Sequence, residues 1–426
     1  MHRITIEASM AHETSNIIIL GAGPAGATAS LFLSKAKVKH TVIDKAIFPR
    51  DKICGDALSG KVVTVLKKLN PDLIPQLLGN NVNCVGSHGI LFVAPNGKSL
   101  AVPFKPSAFA INQAAGYVSK RMDFDFSLVK LLDPRYCSFI QGTEIKKIER
   151  SEYGLTLQAL DAETKSLKEF QTPLLIACDG AHSVANRLFD NEHKLDREHF
   201  SAGIRAYYKN VSGMHDQNFV ELHFLADMLP GYFWIFPLPN GMANVGVGML
   251  GKTISKKKVN LKEAMLQAIR TNPTIKHRFA NAELVGNLEG WGLPLGSKKR
   301  KIADDHIMLC GDAASLIDPF SGEGISNAMY TGMRAAEKAL EGLVVNNFSK
   351  DFLTGYQALV YSRLWTELQL SHTLQKLCSY PALFNFVINK ASKNQAFRET
   401  FSCMFDDLDL RGKFKQPSFY FKLLFG

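Results

Sequence analysis

The 426-residue sequence contains no run of 18 or more apolar residues, so it predicts no membrane-spanning helix. Its amino-terminal stretch, MHRITIEASMAHETS, carries charges and has no apolar centre, which predicts no secretory leader. Met10 stands as an alternative start, with the first regular element expected near Asn16. Cysteine is scarce and scattered. The seven lie at positions 54, 84, 137, 178, 310, 378 and 403, with no CxxC pair and no His-bearing zinc pattern. That argues against a disulfide framework or a metal site and predicts reduced thiols in a cytoplasmic protein. Internal repeats, low-complexity linkers and RNP, zinc-finger or zipper signatures are also missing, so nucleic acid is not an expected partner.

What is present is ordinary in bulk: 46% hydrophobic and 21% charged residues, with length for about two or three domains. The formal charge of +11 is not ordinary. A basic surface draws acidic lipid or a phosphorylated substrate, and it equally describes solvated lysines in SKKK (255–258) and SKKRK (297–301). No feature sets an oligomeric state.

The informative stretches are local. NIIIL (16–20) suits a strand buried on both faces, followed by Gly21-Ala-Gly23-Pro-Ala-Gly26, a helical segment, the strand-like VKHTVID and Asp44. This is the strand, GxGxxG, helix, strand, acid order of a dinucleotide cradle. Gly21 would make the tight turn, Gly23 would admit a pyrophosphate and Gly26 would let helix meet strand, while Asp44 would accept a ribose diol. A second GxGxxG, Gly246 to Gly251, lies in the alternating GMANVGVGML with no acid at the right distance, and reads as a strand with small residues for close packing.

Two later segments, LLIACDGAHSVANR with Asp179-Gly180 and IMLC followed by Gly311-Asp312, each place a strand before a glycine–aspartate turn. With these three fingerprints in order, the chain resembles the flavoprotein hydroxylase superfamily, in which all three surround one FAD. The arginine usual three positions after the serine of the DG segment is replaced by Asn186, with Arg187 one place later. FPRDKICGD (48–56), RMDFD (121–125), PGYFWIFP (230–237) and DPFSGEGI (318–325) resemble segments of the geranylgeranyl reductase branch.

That resemblance implies an α/β fold: a Rossmann-like FAD-binding domain with an inserted, mostly antiparallel substrate sheet and C-terminal helices. The expected boundaries are 15–80, 115–190 and 295–345 for the FAD domain, 81–114 and 191–294 for the sheet, and 346–426 for the helical region. The cofactor would be held by Gly21, Gly23, Pro24, Ala25, Gly26, Asp44, Lys45, Arg50, Arg121, Asp179, Gly180, Gly311, Asp312, Pro319, Gly322, Gly324 and Ile325. Within that set the GxGxxG and GD loops would grip the two ends of a long ligand. Asp312 would take the ribitol hydroxyls, and the Ser321–Ile325 turn would aim a helix start at the flavin ring.

Cys54 and Gly55 would reach the chemistry, or Cys54 would merely fill space. Arg50 would serve a phosphate of substrate or cofactor. Tyr232, Trp234 and Phe236 alternate, so a strand puts them on one face, as a substrate wall or as core. The implied activity is FAD-dependent reduction of carbon–carbon double bonds in an isoprenoid or other apolar lipid, with NAD(P)H or a small redox protein as electron donor. The alternatives are a flavin monooxygenase and a non-catalytic FAD-bound protein. The tail KFKQPSFYFKLLFG (413–426) would either lie at a membrane surface or dock on its own domain.

Overall fold

The computed structural model describes residues 12–79, 81–104, 114–189 and 195–392. Its central six-stranded sheet has the order Ala303–Asp304, Ile307–Leu309, Leu175–Ala177, Ile18–Leu20, His40–Ile43, Cys137–Ile140. Every pairing in it is parallel except the short Ala303–Asp304 edge. Ile17, Ile18 and Ile19 are fully buried, as an unbroken apolar run in a sheet covered on both faces requires. From Ile18–Leu20 the chain moves outward to His40–Ile43 on one side and later returns to Leu175–Ala177 on the other. The reversal opens a crevice at the carboxyl ends of these strands, where open α/β sheets bind ligands.

A second sheet has seven strands, in the order Glu283–Pro294, Phe200–Lys209, Met242–Leu250, Tyr232–Leu238, Val220–His223, Gly89–Val93, Ser99–Pro103. Its pairings are antiparallel except that of Val220–His223 with Gly89–Val93. The last two strands form a hairpin whose turn closes with Gly97 donating to the Ala94 carbonyl, at a positive φ of 81°.

Two smaller sheets depart from the sequence reading. Thr143–Ser151, Gly154–Asp161 and Leu167–Thr172 join His12–Thr14 in a four-stranded sheet, so regular structure begins before Asn16. Cys84–Ser87 pairs with Gly116–Ser119 in a three-stranded sheet rather than with the large one.

The helices Ile325–Val345, Lys350–Leu377 and Pro381–Ala391 complete the described chain. The last buries Phe384, Ile388 and Ala391 in the apolar cluster that also holds Trp234, Phe236 and Phe320. Full burial of a side chain the size of Phe384 or Ile388 contributes about 1.5–3 kcal/mol. Among the described residues no helix is long and apolar enough to cross a membrane. The 413–426 tail lies outside the described residues.

Candidate active site

The crevice holds a cavity of about 640 Å³ whose wall runs from the sheet edge to the aromatic strand. Gly21 sits at a φ of 94°, and a Cβ there would fall 2.5 Å from the Cys178 carbonyl oxygen. The following helix, Pro24–Lys35, starts with proline, with no side-chain cap and no acid in its first turn, so its first N–H groups face the cavity unpaired by side chains. Asp44 Oδ2 accepts from Ala22 N (2.7 Å) and Oδ1 from Ala46 N (2.8 Å), which leaves each oxygen the capacity for a further donor.

The strands that lead to Asp312, Asp179, Gly21 and Asp44 lie side by side in that order. Asp312 and Asp44 are therefore three strand spacings apart, about 14 Å. The glycine loop lies between them, and Gly311 packs so close to it that a Cβ there would touch Ala25 at 3.8 Å. The two aspartates flank the cradle, whereas the GxGxxG and GD loops expected at opposite ends are neighbours. Asp179 Oδ2 accepts from Val184 N (2.7 Å), while its buried Oδ1 has no partner among the described residues. Gly180, at a φ of 78°, has nothing within 4 Å of where a Cβ would stand, and a Cβ on Gly23 would meet only Arg50 Nη2, at 3.6 Å. The open glycines and the orphaned carboxylate oxygen fit a dinucleotide lying along this edge.

A charged layer backs the cradle. Arg50 Nη1 and Arg121 Nη2 both donate to Asp125 Oδ2 at 2.7 Å, and Arg121 Nε donates to Oδ1 at 2.7 Å. Burial opposes the Arg121 charge, but Asp125 outweighs it and holds the guanidinium above its usual range. Lys52 places its ammonium 3.6 Å from the centre of the Trp291 ring. Burial pushes its pKa down to about 8, against the pull of Asp312.

On the opposite side, Tyr232, Trp234 and Phe236 share one face and line the cavity. Tyr232 Oη donates to the Ser321 carbonyl (2.6 Å), tying this strand to the turn before Ile325–Val345. In that turn Glu323 Oε1 accepts from Ser326 N (2.9 Å), so an acid takes one of the helix's first N–H groups. Gly55 lies under Phe236, where a Cβ would come within 3.0 Å of Cε2. Burial raises the Cys54 thiol, which keeps it protonated rather than nucleophilic at neutral pH.

Of the residues assigned to cofactor, substrate or chemistry in the sequence, all but two line this cavity. Gly26 packs against the Gly21 carbonyl beneath the loop, and Pro319 is buried behind the wall with its carbonyl accepting from Gln375 Nε2 (2.7 Å). What the sequence reading missed is a buried polar cluster around Asp56, at a φ of 69°. Asp56 Oδ2 accepts from Tyr207 Oη (2.9 Å) and Asn244 Nδ2 (2.8 Å), and Oδ1 from Arg121 N (3.2 Å). The only available signals were an acid inside FPRDKICGD and a lone asparagine in the apolar GMANVGVGML.

Burial pushes the Asp56 carboxyl up to about 6, partly offset by the Asn244 and Tyr207 hydrogen bonds. A raised acid stabilises the fold below its ordinary 3.8 and loses that contribution as pH climbs through about 6. The loss is about 3 kcal/mol. Urea unfolding from pH 4 to pH 7 should therefore show a decline in the wild type that Asp56→Asn largely removes. Parallel curves would mean that Asp56 ionises at its ordinary pH.

Residues 200–286, which carry the aromatic strand, match the family described as geranylgeranyl reductase catalytic domain. The likeness to the geranylgeranyl reductase branch holds. The chain is 27% identical over 371 residues to the digeranylgeranylglycerophospholipid reductase of Methanococcus vannielii, covering 86% of this chain and 88% of that protein. It is 26% identical over 383 residues to the menaquinone reductase of Mycobacterium tuberculosis, covering 87% and 85%. Among solved structures, a geranylgeranyl bacteriochlorophyll reductase-like protein from Thermoplasma acidophilum superposes with a TM-score of 0.78 at 23% identity, covering 90% and 93%. That superposition establishes the α/β fold.

Proposed function

We propose that the protein is an FAD-dependent oxidoreductase that saturates carbon–carbon double bonds in the polyprenyl chain of a lipid. The observation that carries this reading is one continuous cavity with a dinucleotide cradle along one wall and Tyr232, Trp234 and Phe236 on the other. The names of the relatives, a geranylgeranyl-bearing glycerophospholipid reductase and a menaquinone reductase, support a long apolar substrate. Reduced FAD, when bound, supplies a hydride.

The chain's own residues bind and orient. Asp44 takes the ribose hydroxyls, and the first N–H groups of Pro24–Lys35 together with Arg50 hold the pyrophosphate. Asp312 takes the ribityl chain, with Lys45, Asp179 and Gly180 completing the cradle. The aromatic face excludes water from the alkene, and Cys54 holds a proton at Sγ within the wall. Electrons reach the site from NAD(P)H or a small redox protein.

The purified protein should be yellow. With its flavin reduced by dithionite and oxygen excluded, a geranylgeranyl glycerophospholipid should reoxidise it, and the lipid should gain two hydrogens per double bond. Reoxidation only on admitting air, with an oxygen atom in the product, would instead identify a monooxygenase. Colourless protein that takes up no FAD would overturn the reading.

A further inference from the structure

The second GxGxxG of the sequence has a use that no nucleotide explains. Gly246 is the cross-strand partner of Trp234, and Gly203 that of Gly248. The indole lies across all three: a Cβ on Gly246 would stand 2.2 Å from Cζ2, one on Gly203 3.6 Å from Cη2, and one on Gly248 3.7 Å from Cζ3. Side chains there would lift the ring into the cavity. The glycines set how deep the ring lies but leave its rotation to another contact.

That contact is Asn244, which is fully buried and not part of the cavity wall. Its Oδ1 accepts from Trp234 Nε1 (2.8 Å), and its Nδ2 donates to the Cys54 carbonyl (2.8 Å) and to Asp56 Oδ2 (2.8 Å). One amide thus spends its acceptor on the aromatic wall and both donor hydrogens on the Cys54–Asp56 segment facing it. Asn244 is also the cross-strand partner of Phe236, the other ring that narrows the cavity beside Gly55.

We infer that Asn244 is a positioning residue: it fixes the plane of Trp234 on its glycine bed, and so sets the cross-section of the lipid chain that the cavity accepts. The inference rests on the polyprenyl reductase reading for its substrate but not for its geometry. Asn244 acts on the accepted cross-section through Trp234, so its effect on selectivity and on the indole should vanish once the indole N–H is gone, whatever its bonds to Cys54 and Asp56 add to stability.

The test is a cycle of Asn244→Leu and Trp234→Phe, singly and together, in the full-length holoenzyme. With a geranylgeranyl glycerophospholipid, Asn244→Leu should lower kcat/KM roughly tenfold, mostly through KM. It should also shift the preference between that lipid and menaquinone. In the Trp234→Phe background, Asn244→Leu should change that preference less than about twofold. Tryptophan emission gives a readout independent of turnover. Asn244→Leu should alter it when Trp234 is present and leave it unchanged in the Trp234→Phe background, where Trp291 and Trp365 remain.

Equal emission changes in both backgrounds, or additive losses of selectivity, would overturn the inference. Asn244→Ser runs the same cycle if the leucine variant does not fold. Should neither lipid be reduced by the wild type, the functional reading fails while the emission cycle still decides the role of Asn244.

Discussion

Replacing Gly26 with alanine is expected to leave little folded flavoprotein, whereas the same change at Gly23 should leave the fold intact and empty the cradle. A Cβ on Gly26 would stand 1.8 Å from the Gly21 carbonyl oxygen and 3.2 Å from Ile19 Cγ2. Neither neighbour can give way: the oxygen is backbone in a turn at a φ of 94°, and Ile19 is fully buried in the central sheet. Relief requires the helix Pro24–Lys35 to move off the sheet, and forced overpacking of this kind costs about 3 kcal/mol or more. Gly23 has ordinary angles, φ −67° and ψ −174°, so alanine fits the backbone there. Its methyl would project toward Arg50 into the space assigned to the pyrophosphate. Thermal unfolding of the apoproteins and FAD titration separate the two. Gly26→Ala should lower the midpoint and the soluble yield, and Gly23→Ala should lower FAD affinity at least about tenfold with the midpoint unchanged. A Gly26→Ala protein with wild-type midpoint and flavin content would remove the packing argument.

The contrast also shows what was legible in the sequence. Gly21, Gly23, Gly26 and Asp44 act within one strand–turn–helix unit, so spacing along the chain carries their roles. The alternation of Tyr232, Trp234 and Phe236 is equally local, because a strand alone puts them on one face. Asp56, Tyr207 and Asn244 meet only through the register of Phe200–Lys209 against Met242–Leu250 and the approach of the Cys54 segment. Asn244 is a lone polar residue in an apolar stretch, whereas Asp56 and Tyr207 stand among other polar residues, so nothing in their neighbours along the chain marks the meeting. Gly246 was legible as strand, but its service to Trp234 depends on which residue lies opposite. Pro319 shares a motif with Gly322 and Gly324, yet the turn points it backward to Gln375. The sheet of Thr143–Ser151 with its neighbours escaped for another reason. TEIKKIERS buries Thr143, Ile145 and Ile148, an alternation broken by a register shift between Ile145 and Lys147, and the edge strand His12–Thr14, which pairs with Leu167–Thr172, is three residues long, too short for any period to declare itself.

Asp125 should be the most costly single carboxylate to remove. It is fully buried, and its two oxygens accept three hydrogen bonds at 2.7 Å from Arg50 and Arg121, whose side chains are only 19% and 9% exposed. Asp125→Ala would leave two guanidinium groups facing each other without the carboxylate they share and with little water. Breaking a buried ion network from one side costs about 3–5 kcal/mol. The damage should also reach the cofactor. Arg50 is held by Asp125 where its Nη2 lies 3.6 Å from the Cβ position of Gly23, so losing the tether frees the cation expected to meet the pyrophosphate.

Arg50→Gln separates the two effects, because it removes that cation while Asp125 keeps Arg121. It should weaken FAD binding with a small change in stability, whereas Asp125→Ala should lower both. The unfolding midpoint in urea and an FAD titration at low and high salt measure them, and the loss of affinity from Arg50→Gln should shrink as salt screens the charge. An Asp125→Ala protein that unfolds at the wild-type urea concentration and binds FAD normally would mean that the two arginines find other partners and that the layer behind the cradle is not an ion network.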